Sequence, residues 1–366
     1  MLDERFVIGL LSLSVVKATP IVLAALSGLV CERSGIINIG IEGMMLLSAF
    51  TGSLAAILSR SLGVGVIAGL LTGAVTGLFL AVLSIRYKAD QIIGGTVINI
   101  LAAGITSYFA VVIIDNNDLS GIGVLPTIRI PILSEIPIVG PILFTRQPIT
   151  LIMLVLVFGL HVALFYTPWG LRTRAIGEHP RAADTVGIHV NRMRYINTTI
   201  GGMLAGLAGA FLSLESVGSF EPGMTTGRGF IGLAVMISGN WRPINALFIA
   251  LLFGASEALG VRLQLGDVNQ LQTLMVVAGW GLFIVATTWA LSRYRSDRTV
   301  IPWVQIISAA VGLVLVVTTY IAQIPDTTIP FQFLGLPPYI LTIIVVAGLV
   351  GSVRPPAAEG KVYEKQ

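Results

Sequence analysis

The chain reads as an all-α polytopic membrane protein with about nine to eleven transmembrane helices. Of its 366 residues, 55% are hydrophobic and only 11% are charged, against about 25% charged in a soluble domain. Its mean hydropathy of +0.91 implies more apolar surface than one water-soluble core can enclose. The apolar residues fall in unbroken runs of about 20, the length of a helix that crosses the hydrocarbon. Barrel strands alternate and run for about 10 residues, so a β-barrel is excluded. Disordered, collagen-like and nucleic-acid-binding classes fall with the same numbers.

The runs are justified one by one. Residues 6–30 carry Lys17 as their only charge. Asp3, Glu4 and Arg5 stand before them where a cleaved leader would be basic, so this run is expected to be a retained span. Residues 41–59 start beside Glu42, and residues 61–85 and 91–114 contain no charge. Residues 148–168 hold only His161, and residues 195–215 follow. The short run 229–239 spans only about 16 Å at about 1.5 Å per residue, which suits a re-entrant half-span. Residues 244–261, 268–291, 300–323 and 333–353 complete the set.

Lys and Arg set the orientation. With the amino terminus outside, the inner loops collect Arg33, Arg86, Lys88, Arg172, Arg174, Arg181, Arg192, Arg194, Arg242, Arg293, Arg295, Arg298, Arg354, Lys361 and Lys365. The outer loops keep Arg5, Arg60, Arg129, Arg146, Arg228 and Arg262. Fifteen against six follows the positive-inside rule and places the carboxyl terminus in the cytoplasm. The single cysteine, Cys31, allows no intrachain disulfide.

Gly69, Gly73 and Gly77 lie four apart, as do Gly202, Gly206 and Ala210. In lipid such rows let helix backbones approach closely, either inside one subunit or at a seam between subunits. Chemistry-bearing motifs are scarce. None of the four lysines sits in a Walker A frame, so the chain does not bind ATP by that route. His161, His179 and His189 lack metal-ligand spacing, and no G-x-S-x-G elbow occurs. No enzyme, metal or cofactor is expected in this chain.

Three polar constellations interrupt the apolar pattern. The first runs from Glu32 to Met45 and places Asn38 and Glu42 four apart, on one face of a helix. Polar groups at membrane depth persist where they line a cavity or are paired. Asn38 and Glu42, with Asn99, are therefore candidates for a substrate pathway. Glu42 also suits the first turn of its own helix, where the dipole favours a negative charge. The second constellation, residues 170–188, is the most polar inner loop. Pro180 suits the start of a short helix and Gly187 its stop, with Ala182 and Ala183 leaving a low face between charged flanks. The third, Gly227 to Pro243, is an apolar segment broken by glycine. Matching broken segments in two halves point to a pathway between them.

The loop Gly177-Glu178-His179-Pro180-Arg181-Ala182-Ala183-Asp184-Thr185-Val186-Gly187-Ile188 resembles the cytoplasmic coupling loop of ABC importer permeases. The branch is the one serving ribose, branched-chain amino acids and nucleosides. Glu32-Arg33-Ser34-Gly35 with Asn38 through Met45, Asp90 through Asn99, and Gly229-Phe230 to Trp241-Arg242-Pro243 are similar to the nucleoside members. The resemblance covers about residues 10–290. It implies a type II-like permease of two related halves that moves a nucleoside inward by alternating access. It also implies a separate ATPase subunit, which uses the ATP and takes the coupling loop at Gly177, Glu178, Pro180, Arg181, Ala182, Ala183, Asp184 and Gly187. A second, related permease subunit and an extracytoplasmic substrate-binding lipoprotein complete the implied assembly, in the inner (plasma) membrane.

Residues 1–291 then form the permease domain, with the coupling loop at about 170–194. Residues 292–366 depart from the family as an extension with two further apolar spans and a cytoplasmic tail. Ribose-type sugars and branched-chain amino acids are alternative substrates. A secondary carrier is a more distant alternative, since it needs acidic residues deep in the spans, and Glu42, Glu215 and Glu257 read nearer span ends. A channel would need a selectivity ring, which one sequence does not display.

Overall fold

At membrane depth each backbone donor and acceptor must find a partner inside the protein, so long apolar runs fold as helices. The computed structural model describes residues 4–114, 123–264, 310, 313–314 and 354–364. In chain order it begins with α1 (Glu4–Glu32), α2 (Ile41–Ser59), α3 (Leu62–Ala81) and α4 (Gln91–Phe109). A two-residue ladder follows, with β1 (Ile128–Arg129) antiparallel to β2 (Thr145–Arg146). Then come α5 (Pro148–Tyr166), α6 (Pro168–Glu178), α7 (Pro180–Thr185), α8 (Val190–Phe211), α9 (Arg228–Ser238) and α10 (Pro243–Gln264).

Seven helices among the described residues are long and apolar enough to cross a bilayer, and α9 is a shorter apolar helix of 11 residues. These eight match the first eight apolar runs of the sequence. The expected spans at 268–291, 300–323 and 333–353 lie outside the described residues. The chain divides into two compact units, Met1–Ala255 with Ser352–Gln366, and Ser256–Gly351. Residues 354–364 thus belong with the first unit.

Local chemistry sets the boundaries. The Asp90 carboxylate accepts from Ile92 N (2.8 Å) and Ile93 N (3.0 Å), closing the amino end of α4. Thr167 Oγ1 accepts from Gly170 N (3.3 Å) at the start of α6, where Pro168 fills the first helical position. α3, α4 and α8 each continue into a π-helical turn, at Val82–Arg86, Ala110–Ile114 and Leu212–Val217.

α8 lies at the centre of the first unit. A Cβ on Gly73 would sit 2.2 Å from the Gly202 carbonyl oxygen, and one on Gly202 would sit 2.1 Å from that of Gly73. Gly69, Gly77 and Gly206 extend the same seam, so α3 and α8 meet backbone to backbone. On its other sides α8 places Gly201 against Cys31 of α1 and Gly209 against the Met45 carbonyl of α2. Both glycine rows of the sequence are consumed by packing within this one chain.

Gly73→Leu is expected to destabilise by about 2 kcal/mol or more, because overfilling a tight contact forces backbones apart. Gly104→Leu is the control, since Gly104 has nothing within 4 Å of its Cβ position. Thermal unfolding of the two detergent-solubilised variants checks this, and equal midpoints would sink the seam.

Candidate functional site

The first and third constellations form one half-buried junction. α2 begins at Ile41, and Glu42 sits in its first turn. The Glu42 carboxylate does not serve its own helix alone. Its Oε1 accepts from Gly227 N (2.7 Å) and its Oε2 from Gly229 N (2.7 Å), so it closes the amino end of α9. A helix amino end exposes unpaired N–H groups and a partial positive charge, and a carboxylate answers both. Gly229 is required there, because a Cβ would meet Glu42 Oε2 at 2.7 Å.

Asn99 braces the same turn from α4. Its Oδ1 accepts from Gly43 N (2.7 Å) and its Nδ2 donates to Ile39 O (3.0 Å). Gln91, at the start of α4, accepts from Ile37 N (2.7 Å). Asn99 lies eight residues farther along, about 12 Å at about 1.5 Å per residue, so the junction sits well inside the bundle. Asn38 is fully buried at 0% exposure, its Nδ2 against Cys31 Sγ (3.6 Å) and Met44 Sδ (3.7 Å). The structure therefore brings Glu42 and Asn99 together on backbone amides and turns Asn38 into the core. Both carboxylate oxygens of Glu42 and the whole Asn99 amide already hold backbone groups.

A second carboxylate does the same work just beyond the carboxyl end of α8. Glu215 accepts from Ile149 N (2.7 Å), Thr150 N (3.1 Å) and Thr150 Oγ1, closing the amino end of α5. Its sequence position marked only the end of a run. The acceptor is separated from its donors by 66 residues, and nothing local announces the pairing.

The opposite end of α9 is gripped by the start of the first constellation. Asn240 and Trp241 have φ of 54° and 51°, a left-handed turn that side chains other than glycine rarely adopt. Arg33 Nη2 donates to Asn240 O (3.3 Å) and Trp241 O (3.0 Å), and Arg33 Nε donates to Trp241 O (3.1 Å). Trp241 Nε1 donates to Glu32 Oε2 (2.7 Å). Burial pushes the Arg33 pKa down, with Arg174 and Arg242 adding to the shift and Glu178 opposing it.

The candidate coupling loop is built at this same end. Gly177 is buried, with its Cβ position 2.3 Å from the Arg33 carbonyl oxygen. Pro180 opens α7 and Gly187 ends the turn after it at φ 84°. Arg181 and Ala182 are exposed and Asp184 is half-buried. Ala183 is 4% exposed and packs with Ile176 and Val190. The expected low face of Ala182 and Ala183 is thus split, with Ala182 outward and Ala183 in the core. The i, i+1 spacing puts neighbours on different sides of a helix.

Sequence reasoning passed over the tail. Ala358 N donates to Gly177 O (2.8 Å), and Gly360 N donates to Gly35 O (3.2 Å). Arg194, 2% exposed, donates from Nε to Ser34 O (3.0 Å) and from Nη1 to Lys361 O (3.1 Å). The Glu359 carboxyl contacts that of Glu32, and burial pushes its pKa up. These contacts are mostly to backbone, which no side-chain pattern encodes.

Comparison with known proteins places this geometry. Residues 10–279 match the family described as branched-chain amino acid transport system / permease component. The guanosine ABC transporter permease protein NupQ of Bacillus subtilis is 36% identical over 298 residues, 78% of this chain and 92% of NupQ. The nucleoside ABC transporter permease protein NupC of Lactococcus lactis is 30% identical over 359 residues, 96% of this chain and 95% of NupC. TsgC13 of Haloferax volcanii, an ABC transporter permease protein named for glucose, is 36% identical over 263 residues, 71% of this chain and 79% of TsgC13. No solved structure matches significantly.

Replacing Glu42 by Ala leaves two backbone donors without their acceptor, at a cost of about 1–3 kcal/mol each. Glu42→Gln keeps one acceptor oxygen, so its melting temperature is expected to lie between those of Glu42→Ala and the parent. Equal melting of Glu42→Ala and the parent would show that Glu42 does not hold α9.

Proposed function

The chain belongs to the family of branched-chain amino acid transport system permease components, and we propose that it is the membrane-spanning subunit of an ATP-driven nucleoside importer. The observation that carries the coupling part is α7. Six residues between Pro180 and Thr185 stand at the polar end, rooted through Ala183 and presenting Arg181 and Ala182 outward. A short helix held from below and open above is suited to seat in a groove on a separate ATPase subunit. In this reading Gly177, Pro180, Ala183 and Gly187 shape the loop, and Glu178, Arg181, Ala182 and Asp184 border the docked face.

The substrate class is supported by the relatives named for guanosine and for nucleosides, NupQ and NupC. TsgC13, named for glucose, supports a sugar as the second reading. An external binding protein delivers the ligand, a second related permease subunit completes the path, and ATP is used by the partner, with no cofactor in this chain. The excess of Lys and Arg on one set of loops supports a plasma-membrane protein with the coupling loop and the tail in the cytoplasm. Residues 1–291 are the permease domain in this reading and residues 292–366 its extension. Asn38, Glu42 and Asn99 act on the path by fixing the broken segment that borders it.

Cells with and without this chain, in a strain lacking other nucleoside routes, are expected to differ in uptake of radiolabelled guanosine. Competition by unlabelled uridine, and none by ribose or leucine, is the expected pattern. Unchanged guanosine uptake on deletion would overturn the substrate class, and competition by ribose would favour the sugar reading. Ala182→Arg is expected to lower uptake at least tenfold with the protein still in the membrane. Normal uptake by that variant would remove the docking role of α7.

A further inference from the structure

Residues 354–364 touch each of the three constellations. Arg354 N donates to Asn240 Oδ1 (3.3 Å) beside the strained turn after α9. Ala357 N donates to Glu178 Oε2 (3.2 Å), and Ala358 N to Gly177 O (2.8 Å), both at the end of α6. Gly360 N donates to Gly35 O (3.2 Å) in the first constellation. Pro356 and Ala358 are buried beneath these bonds. Farther on, Tyr363 packs on the cluster of Ile176, Ala183 and Val190, beside Asp184 of α7. Glu364 pairs with Lys88 in the loop after α3.

α7 has little else to hold it. It is six residues long, under two turns, below the length at which a helix is stable by itself. Its only side chain buried in the apolar cluster is Ala183. A knob that is pushed by a partner moves the bundle only if it cannot yield separately. We propose that residues 354–364 are a clasp that fixes α7 to the transmembrane bundle and carries the ATPase-driven motion into it. The clasp leaves the outer face of α7 open. A groove of about 590 Å³ runs between them, lined by Pro180, Arg181, Ala182, Lys361, Val362 and Tyr363 among others. Clasp and docked face therefore border each other across this groove, and Arg181 and Ala182 stay exposed. Tyr363, Ala358 and Gly360 act as positioning residues, through α7 and the turn at Gly35. The clasp rests on the reading of α7 as the coupling helix.

The test uses the whole complex of permease, ATPase and binding protein in proteoliposomes, with guanosine as the probe. Ending the chain at Pro355 is expected to leave the ATPase bound and to lower guanosine transported per ATP hydrolysed at least tenfold. Amides of residues 181–185 are expected to exchange hydrogen at least tenfold faster, while those of α3 and α8 do not change. A synthetic peptide of residues 354–366, added on the tail side, is expected to restore most of the ratio, which a general loss of folding would not allow. Ala358→Arg in the full chain gives the same two measurements without shortening it, and serves where the shortened chain does not accumulate. An unchanged ratio and unchanged exchange in these variants overturn the clasp. Ala182→Arg separates the two ideas. If Ala182→Arg uncouples and the tail variants do not, only the clasp fails. If Ala182→Arg couples normally, the docking reading itself fails.

Discussion

Everything in the first unit hangs on how the amino ends of interrupted helices are satisfied without water. A helix that starts inside the bundle presents unpaired N–H groups to a medium that offers no acceptor, and each costs several kcal/mol if left so. Here the acceptors are carboxylates borne by other helices. Glu42 of α2 closes α9 through Gly227 and Gly229, and Glu215 beyond α8 closes α5 through Ile149 and Thr150. Each carboxylate meets the positive end of a helix dipole, so charge and hydrogen bonding favour the same arrangement. Because acceptor and donor lie on different elements, satisfying the backbone also fixes tertiary position.

α9 shows the consequence. Glu42 holds its first turn, Glu32 and Arg33 hold the turn after its last, and all three residues come from one stretch of 11 residues. The Arg33 guanidinium adds positive charge at the carboxyl end, where the dipole is negative. Left-handed φ at Asn240 and Trp241 costs on the order of 1–3 kcal/mol each, and such strain persists only where surrounding bonds over-determine it. Three donor contacts from Arg33 and one from Trp241 to Glu32 supply that determination. The segment is short because it is gripped at both ends by residues whose separation is set by the connection between α1 and α2.

Much of this was legible in the sequence, and what was hidden has a common cause. Hydropathy located α1–α5, α8, α9 and α10 because length and apolarity are local properties. Pro180 and Gly187 marked α7 because their backbone preferences are local too. The glycine rows announced close approach, although only coordinates assign both of them to the α3–α8 seam. Three features escaped. Glu42 read as a pathway residue and as a charge in the first turn of its own helix, because its donors lie 185 and 187 residues away. Ala182 and Ala183 read as one face, yet the helix turn separates them. The tail joined the candidate coupling loop unannounced, because each of its bonds has a backbone group or a far-off side chain as partner.

The chemistry left over at the junction bears on how a permease of this kind selects its cargo. Glu42 has both oxygens on backbone amides, Asn99 has its amide oxygen and nitrogen on the α2 turn, and Asn38 is wholly buried. Recruiting Glu42 or Asn99 for a polar ligand would break a bond that holds α2 or α9 in place. Strong recognition at this point would therefore loosen the fold each time it occurred. Glu42 and Asn99 are thus committed to holding the starts of α9 and α2, and Asn38 Oδ1, buried without a hydrogen-bond partner, is the acceptor that remains uncommitted at this junction.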